Sequence, residues 1–219
     1  MSSLAQTKTK QLKYATYLAS YLLIIWGFYR FLFKLPDEIE EFIVKPILWL
    51  IPVAILLYKE GSSVLSLGLT FKNLFPSLYY SLALGAVFAM EAMLVNYLKY
   101  GVFQFKANIG EAAFMTSFAL TLATAFTEEL TFRGYIFNRV WQALGSEWLA
   151  NFATSIVWAL VHLPVAVFVW KLNLVSTGSY ILITTLFGLG ASFVFARTRN
   201  ILSPVILHIV WEWPSILFR

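Results

Sequence analysis

Along the chain, long apolar stretches alternate with short polar breaks. The stretches run over residues 14–33, 42–58, 75–98, 113–137, 148–170, 178–196 and 201–218, each close to the roughly 20 residues a helix needs to cross hydrocarbon. Turn or charge signals mark the breaks: Pro36-Asp37-Glu38-Ile39-Glu40-Glu41, Lys59-Glu60-Gly61-Ser62-Ser63, Lys106-Ala107-Asn108-Ile109-Gly110, Gly145-Ser146-Glu147, Thr177-Gly178 and Arg197-Thr198-Arg199-Asn200. The segment Val64 to Asn73 is apolar but short and reads as an interfacial stretch on the membrane surface. The first long stretch follows Lys8, Lys10 and Lys13 and runs into Leu35-Pro36-Asp37. It is too long for a signal-peptide core and lacks small residues at a cleavage site, so it reads as a retained span. The pattern predicts an all-α, polytopic membrane protein, a bundle of about seven or eight transmembrane helices. With no internal repeat, 1–219 reads as a single integral membrane domain whose motif-bearing core is about 113–218.

Composition strengthens this picture. Hydrophobic residues make up 60% of the chain and charged ones 12%, more apolar surface than a soluble domain can hide. The bilayer is therefore the expected solvent. The net charge of +5 comes from scattered Lys and Arg, which suits loops near anionic headgroups and argues against nucleic acid as a partner. The absence of cysteine excludes disulfides, thiolate metal sites and a cysteine nucleophile. Placing the N-terminus in the cytoplasm puts Lys8, Lys10, Lys13, Lys59, Lys72, Arg139, Arg197 and Arg199 inside and the acidic cluster Asp37 to Glu41 outside. Lys34, Lys99, Lys106 and Lys171 run against that bias. Trp26, Trp49, Trp141, Trp148, Trp170, Trp211 and Trp213 lie mostly near span ends and read as interfacial belts.

Ionisable residues inside the spans carry the chemistry. A charge at the bilayer centre costs at least about 2.5–3.5 kcal/mol and needs a partner or a purpose. Seven such groups stand out: Glu91, Glu128, Glu129, Arg133, His162, His208 and Glu212, including both histidines of the chain. In Glu128-Glu129-Leu130-Thr131-Phe132-Arg133, Glu129 and Arg133 are four apart on one helical face and can pair. Glu128 is rotated by about 100° and is left as a second carboxylate without that cation, a candidate base. Trp158 and His162 share a face, and Pro164 is expected to kink the helix beside them. His208 and Glu212 are also four apart. Counted at 1.5 Å per residue, Glu128, His162 and His208 lie roughly 10–21 Å from the cytoplasmic ends of their spans, so one shared layer is expected. Glu91 is unassigned: it can pair with Lys99, face the cavity or lie near a span end.

These motifs resemble those of the CAAX-protease and bacteriocin-processing (Abi) family of intramembrane proteases: Glu-Glu-x-x-x-Arg, Phe-x-x-x-His and His-x-x-x-Asn or Asp. Residues 128–133 match the first fully, 158–162 match the second with Trp158 in the aromatic position, and His208 matches the third. Leu67-Gly68-Leu69 and the run from Arg197 to Leu202 are similar to recurring family features. The resemblance implies a glutamate-type hydrolase of the prokaryotic plasma membrane, acting on a peptide or protein substrate at the membrane, with no cofactor. By analogy Glu128 activates a water, His162 helps hold it, and His208 with position 212 stabilises the oxyanion. Position 212 departs from the family, because Asn donates a hydrogen bond where an ionised Glu212 repels. The role requires a neutral Glu212; otherwise Glu212 orients His208 or pairs with an arginine.

Other chemistries fare less well on the letters. An aspartyl mechanism needs two aspartates, and the chain has only Asp37. Neither histidine is followed by Glu as a His-Glu-x-x-His zinc site requires, although two histidines and several glutamates keep zinc as an alternative. Gly190-Ala191-Ser192-Phe193 lacks the glycine that follows the nucleophile in a rhomboid-like serine motif. The rival of another class is a non-catalytic protein of the same fold, a bacteriocin-immunity factor or scaffold. A proton-coupled transporter lacks a visible inverted repeat. Substrate identity and oligomeric state are not encoded in any motif.

Overall fold

The computed structural model describes residues 3–102 and 114–217, with side chains placed for 5–98, 100–102 and 115–212. The predicted break Lys106 to Gly110, the side chain of Lys99 and that of Trp213 therefore lie outside the described residues. Seven helices account for nearly all of the rest: α1 (3–32), α2 (Asp37–Glu60), α3 (Leu74–Tyr100), α4 (114–144), α5 (Glu147–Val169), α6 (Leu174–Thr198) and α7 (Leu202–Leu217). Among the described residues there is no strand. Each predicted span falls on one helix, but α1 starts eleven residues before position 14 and α4 runs seven past position 137. Hydropathy marks only the membrane-buried part of a rod, whereas backbone hydrogen bonding continues through its polar end. Five helices (α1, α2, α3, α5 and α6) are long and apolar enough to cross a membrane. The chain is an all-α, polytopic membrane protein.

Several termini show local causes. Gly61 and Gly145 end α2 and α4 in the left-handed conformation, which glycine adopts without a Cβ penalty. Side-chain oxygens of Asn173 and Asn200 accept from the first turns of α6 and α7 at 2.8 Å each, satisfying amides that have no partner within the helix. Four helices pass through π-type turns, at Leu22–Trp26, Glu40–Val44, Leu130–Phe137 and Val165–Val169. Wider turns of this kind rotate the following side chains relative to a straight helix. Pro164 leads directly into the last of them.

Helices α2 and α4 run parallel in a fixed register of polar and aromatic contacts. Thr124 Oγ1 donates to Glu41 at 2.5 Å, Lys45 lies 3.0 Å from Glu128, and the Trp49 and Phe132 rings stand 5.7 Å apart. Farther along, Glu60 accepts from Tyr135 at 2.8 Å and Arg139 at 2.9 Å. That end of the bundle also gathers Lys10 against the Lys59 carbonyl, Arg197 against Glu147, and Arg199 against Asn138. The expected basic residues thus share one end.

The interfacial segment forms a short turn, Val64–Leu67, whose Phe71 and Leu65 stay exposed. Gly68 adopts φ +83° and its carbonyl accepts from Ile201 N at 2.9 Å; a Cβ there would sit 2.8 Å from Phe195. Asn200 donates to the Thr70 and Lys72 carbonyls at 2.9 and 2.6 Å. These contacts clamp the segment onto the α6–α7 turn, which gives Leu67-Gly68-Leu69 and Arg197–Leu202 a shared structural purpose.

Two expectations need correction. Trp26 and Trp49 are core residues, 4% and 0% exposed, packed edge to face at 5.6 Å, because both lie well inside their apolar stretches on the helix faces turned into the bundle; Trp148 and Trp170 are exposed, as a belt requires. The acidic cluster is not a break between helices: Asp37 opens α2, and Glu40 is buried against Arg30 and accepts from Tyr29 at 2.9 Å. Intramembrane cations outweigh the loop signal read from the string of acids.

Candidate active site

The residues of the three motifs converge where α4, α5 and α7 meet. On α4, Glu129 is fully buried and its Oε1 lies 3.1 Å from Arg133 Nη1, one helical turn on. Arg133 donates from Nη2 to the Gly188 carbonyl of α6 at 3.1 Å and lies over the Trp158 ring at 4.6 Å. Gly188 permits this approach, since a Cβ there would come within 2.9 Å of Ser155 and 3.3 Å of the guanidinium. The same Glu129 oxygen accepts from His208 Nδ1 at 2.7 Å. Glu129 and Arg133 therefore form the expected pair and also hold the α7 histidine in place.

Glu128 points elsewhere, as the helical rotation predicts. Its Oε2 accepts from the Trp158 indole N–H at 3.1 Å and lies 3.4 Å from His162 Nε2. Trp158 is thus more than an aromatic spacer: it hydrogen-bonds the candidate base, which a phenylalanine cannot do. Its ring meets His162 at 4.5 Å and stands perpendicular to His208 at 5.9 Å. Among the described residues Glu91 makes no ion pair and is half-buried on α3, on none of the three helices that form the site.

The two imidazoles are arranged alike. His162 Nδ1 lies 2.8 Å from the Trp158 carbonyl, and His208 Nδ1 lies 2.7 Å from the Glu129 carboxylate. Carbonyl and carboxylate only accept, so both Nδ1 atoms carry hydrogen. Each Nε2 then faces a second carboxylate across a wider gap, 3.4 Å to Glu128 for His162 and 3.7 Å to Glu212 for His208. Nothing fits between atoms this close, but a water lying beside either pair can reach both partners.

One expectation about Glu128 is overturned: it is not uncompensated. Lys45 of α2 lies 3.0 Å from its Oε1 and 2.5 Å from Glu41. Lys45 and Glu128 are each 3% exposed, and an opposite charge in contact offsets much of the cost of burying either. The sequence reading passes over Lys45 although it stands inside the second apolar stretch. A signal was present: Glu40-Glu41-Phe42-Ile43-Val44-Lys45 has the same Glu-Glu-x-x-x-cation spacing as residues 128–133.

Against known proteins, residues 110–214 match the family described as type II CAAX prenyl endopeptidase Rce1-like. No curated protein matches the chain. The matched stretch contains all three motifs and excludes α1, α2 and α3. Over that stretch, just under half of its length, the chain is similar to the CAAX-protease family of membrane proteins.

Proposed function

We propose that the protein is an intramembrane endopeptidase in which Glu128 activates a water to hydrolyse a peptide bond. The observation that carries this reading is the meeting of Glu128 Oε2 and His162 Nε2 at 3.4 Å from two separate helices, close enough for one water to touch both. Glu128 takes a proton as the water oxygen attacks the scissile carbonyl carbon. His208, when protonated at Nε2, donates to the oxyanion that forms, with Nδ1 held by Glu129. Glu128 then returns the proton to the departing amide nitrogen, the C–N bond breaks, and an acid and an amine leave. Donors fixed in advance at a developing oxyanion supply much of the rate in such reactions. Glu212 assists only as the neutral acid, donating where the family has Asn or Asp.

The substrate is a membrane-associated peptide. The family description supports a prenylated CAAX tail, and a leader-bearing precursor is the other candidate. The basic end formed by Lys10, Lys59, Arg139, Arg197 and Arg199 supports a cytoplasmic N-terminus in a prokaryotic plasma membrane. The reaction needs no cofactor. The test is cleavage of a quenched fluorogenic farnesylated peptide, and of a leader-bearing peptide, by purified protein in lipid nanodiscs. Glu128→Gln is expected to lower turnover about 10²–10⁴-fold, the usual range for loss of a general base. Unchanged turnover in that variant would rule out the hydrolase reading. A second reading, a non-catalytic immunity or scaffold protein, draws on the acid at position 212 and predicts wild-type behaviour in cells for Glu128→Gln.

A further inference from the structure

The second Glu-Glu-x-x-x-cation segment has no part in the mechanism above, yet it reaches the same carboxylate. Glu40 and Glu41 follow one another into the bundle on the π-type turn Glu40–Val44. Glu40 takes Arg30 and Tyr29. Glu41 is fixed at two points: it accepts from Thr124 of α4 at 2.5 Å and lies 2.5 Å from Lys45, four residues on. Thr124 and Glu128 are likewise four apart, so the contacts Glu41–Thr124 and Lys45–Glu128 are successive rungs between parallel helices. The Lys45 ammonium also lies within 5.7 and 5.9 Å of the Trp26 and Trp49 rings, cation–π contacts that restrict its position.

This arrangement divides the Glu128 carboxylate. Oε1 is engaged by Lys45, while Oε2 receives the Trp158 N–H and faces His162. We propose that Lys45, on a helix outside the family-matched stretch, is a positioning residue: by holding Oε1 it turns Oε2 toward His162 as the oxygen that receives the proton of water. The proposal rests on the hydrolase reading. Lys45 itself is buried, so it acts through Glu128 and does not meet the substrate.

The experiment measures kcat and KM on the farnesylated and leader-bearing peptides in nanodiscs, with thermal unfolding recorded for each variant. Lys45→Met is expected to lower kcat roughly 10²-fold, as a misplaced base does, with KM within about twofold because no substrate contact is lost. Lys45→Arg, which keeps the cation, is expected to restore kcat to within about tenfold of wild type. The double variant Lys45→Met/Glu41→Gln, which leaves no orphaned Glu41 charge, is expected to repeat the kcat loss. Wild-type kcat in Lys45→Met would overturn the proposal, as would a loss seen only in KM. An arginine variant as slow as the methionine one, or failure of all three variants to fold, would show a structural role instead. If Glu128→Gln kills turnover and Lys45→Met does not, the hydrolase reading stands and this inference falls. If Glu128→Gln is as active as wild type, or the wild-type protein cleaves neither peptide, both fall.

Discussion

Residues 40–45 and 128–133 share one spacing, two adjacent glutamates and a cation four residues after the second, and both segments include a π-type turn. In each, the second glutamate pairs with the cation on its own helix, at 2.5 Å for Glu41–Lys45 and 3.1 Å for Glu129–Arg133. They diverge in what the cation does next. Arg133 spends its second nitrogen on the Gly188 carbonyl and is closed off under Trp158. Lys45 crosses to the other segment and meets Glu128. A planar guanidinium with five fixed donors suits a closed structural node, whereas a compact ammonium can bridge two carboxylates on different helices. Identical spacing therefore yields a scaffold in one place and a bridge to the candidate base in the other.

The contrast is open to direct attack. The largest effect is expected at the scaffold: Arg133→Met leaves Glu129 buried beside only His208 and should cost about 3–5 kcal/mol, read as a fall in the unfolding midpoint together with loss of turnover. If that variant keeps wild-type stability, the distinction between node and bridge fails. Gly188→Ala tests the same node sterically; the added methyl meets Ser155 Cβ and should cost about 1–3 kcal/mol, measured by the same unfolding. Trp158→Phe keeps the ring and deletes the N–H, so turnover should drop roughly tenfold, near the worth of one hydrogen bond to a charged group, with little change in unfolding. The smallest effect belongs to Glu212→Asn, for which turnover should hold or rise by a few-fold at most (about 1 kcal/mol or less). Total loss of turnover there would mean that the carboxylate has a direct role. Preincubation with a chelator should leave turnover unchanged if the glutamate reading is right.

Much of the architecture was legible because the bilayer imposes it: each apolar stretch of sufficient length became a helix, and only the polar ends were misjudged. The pairing of Glu129 with Arg133 and the shared face of Trp158 and His162 were legible too, since a helix fixes neighbours four residues apart. Beyond the shared layer expected for Glu128, His162 and His208, contacts between helices could not be read. Lys45 and Glu128 are 83 residues apart in the chain, and no local periodicity announces that α2 lies parallel to α4. Glu40 and Glu41 misled for a related reason: five residues of mostly acidic sequence look like a polar break until Arg30, Thr124 and Lys45 are seen around them. The role of Trp158 as a donor was hidden because the pattern specifies only an aromatic ring.

The hairpin of α1 and α2 has a consequence for comparing relatives. Its residues precede position 110, where the recognisable family segment begins, yet one of them touches the glutamate on which hydrolysis would depend. Two proteins could agree at every motif letter and still expose that glutamate to different neighbours, according to what their first sixty or so residues contribute. Chimeras that exchange only this leading hairpin, with the motifs untouched, would reveal whether diversity in the family is written partly in the portion that family resemblance ignores.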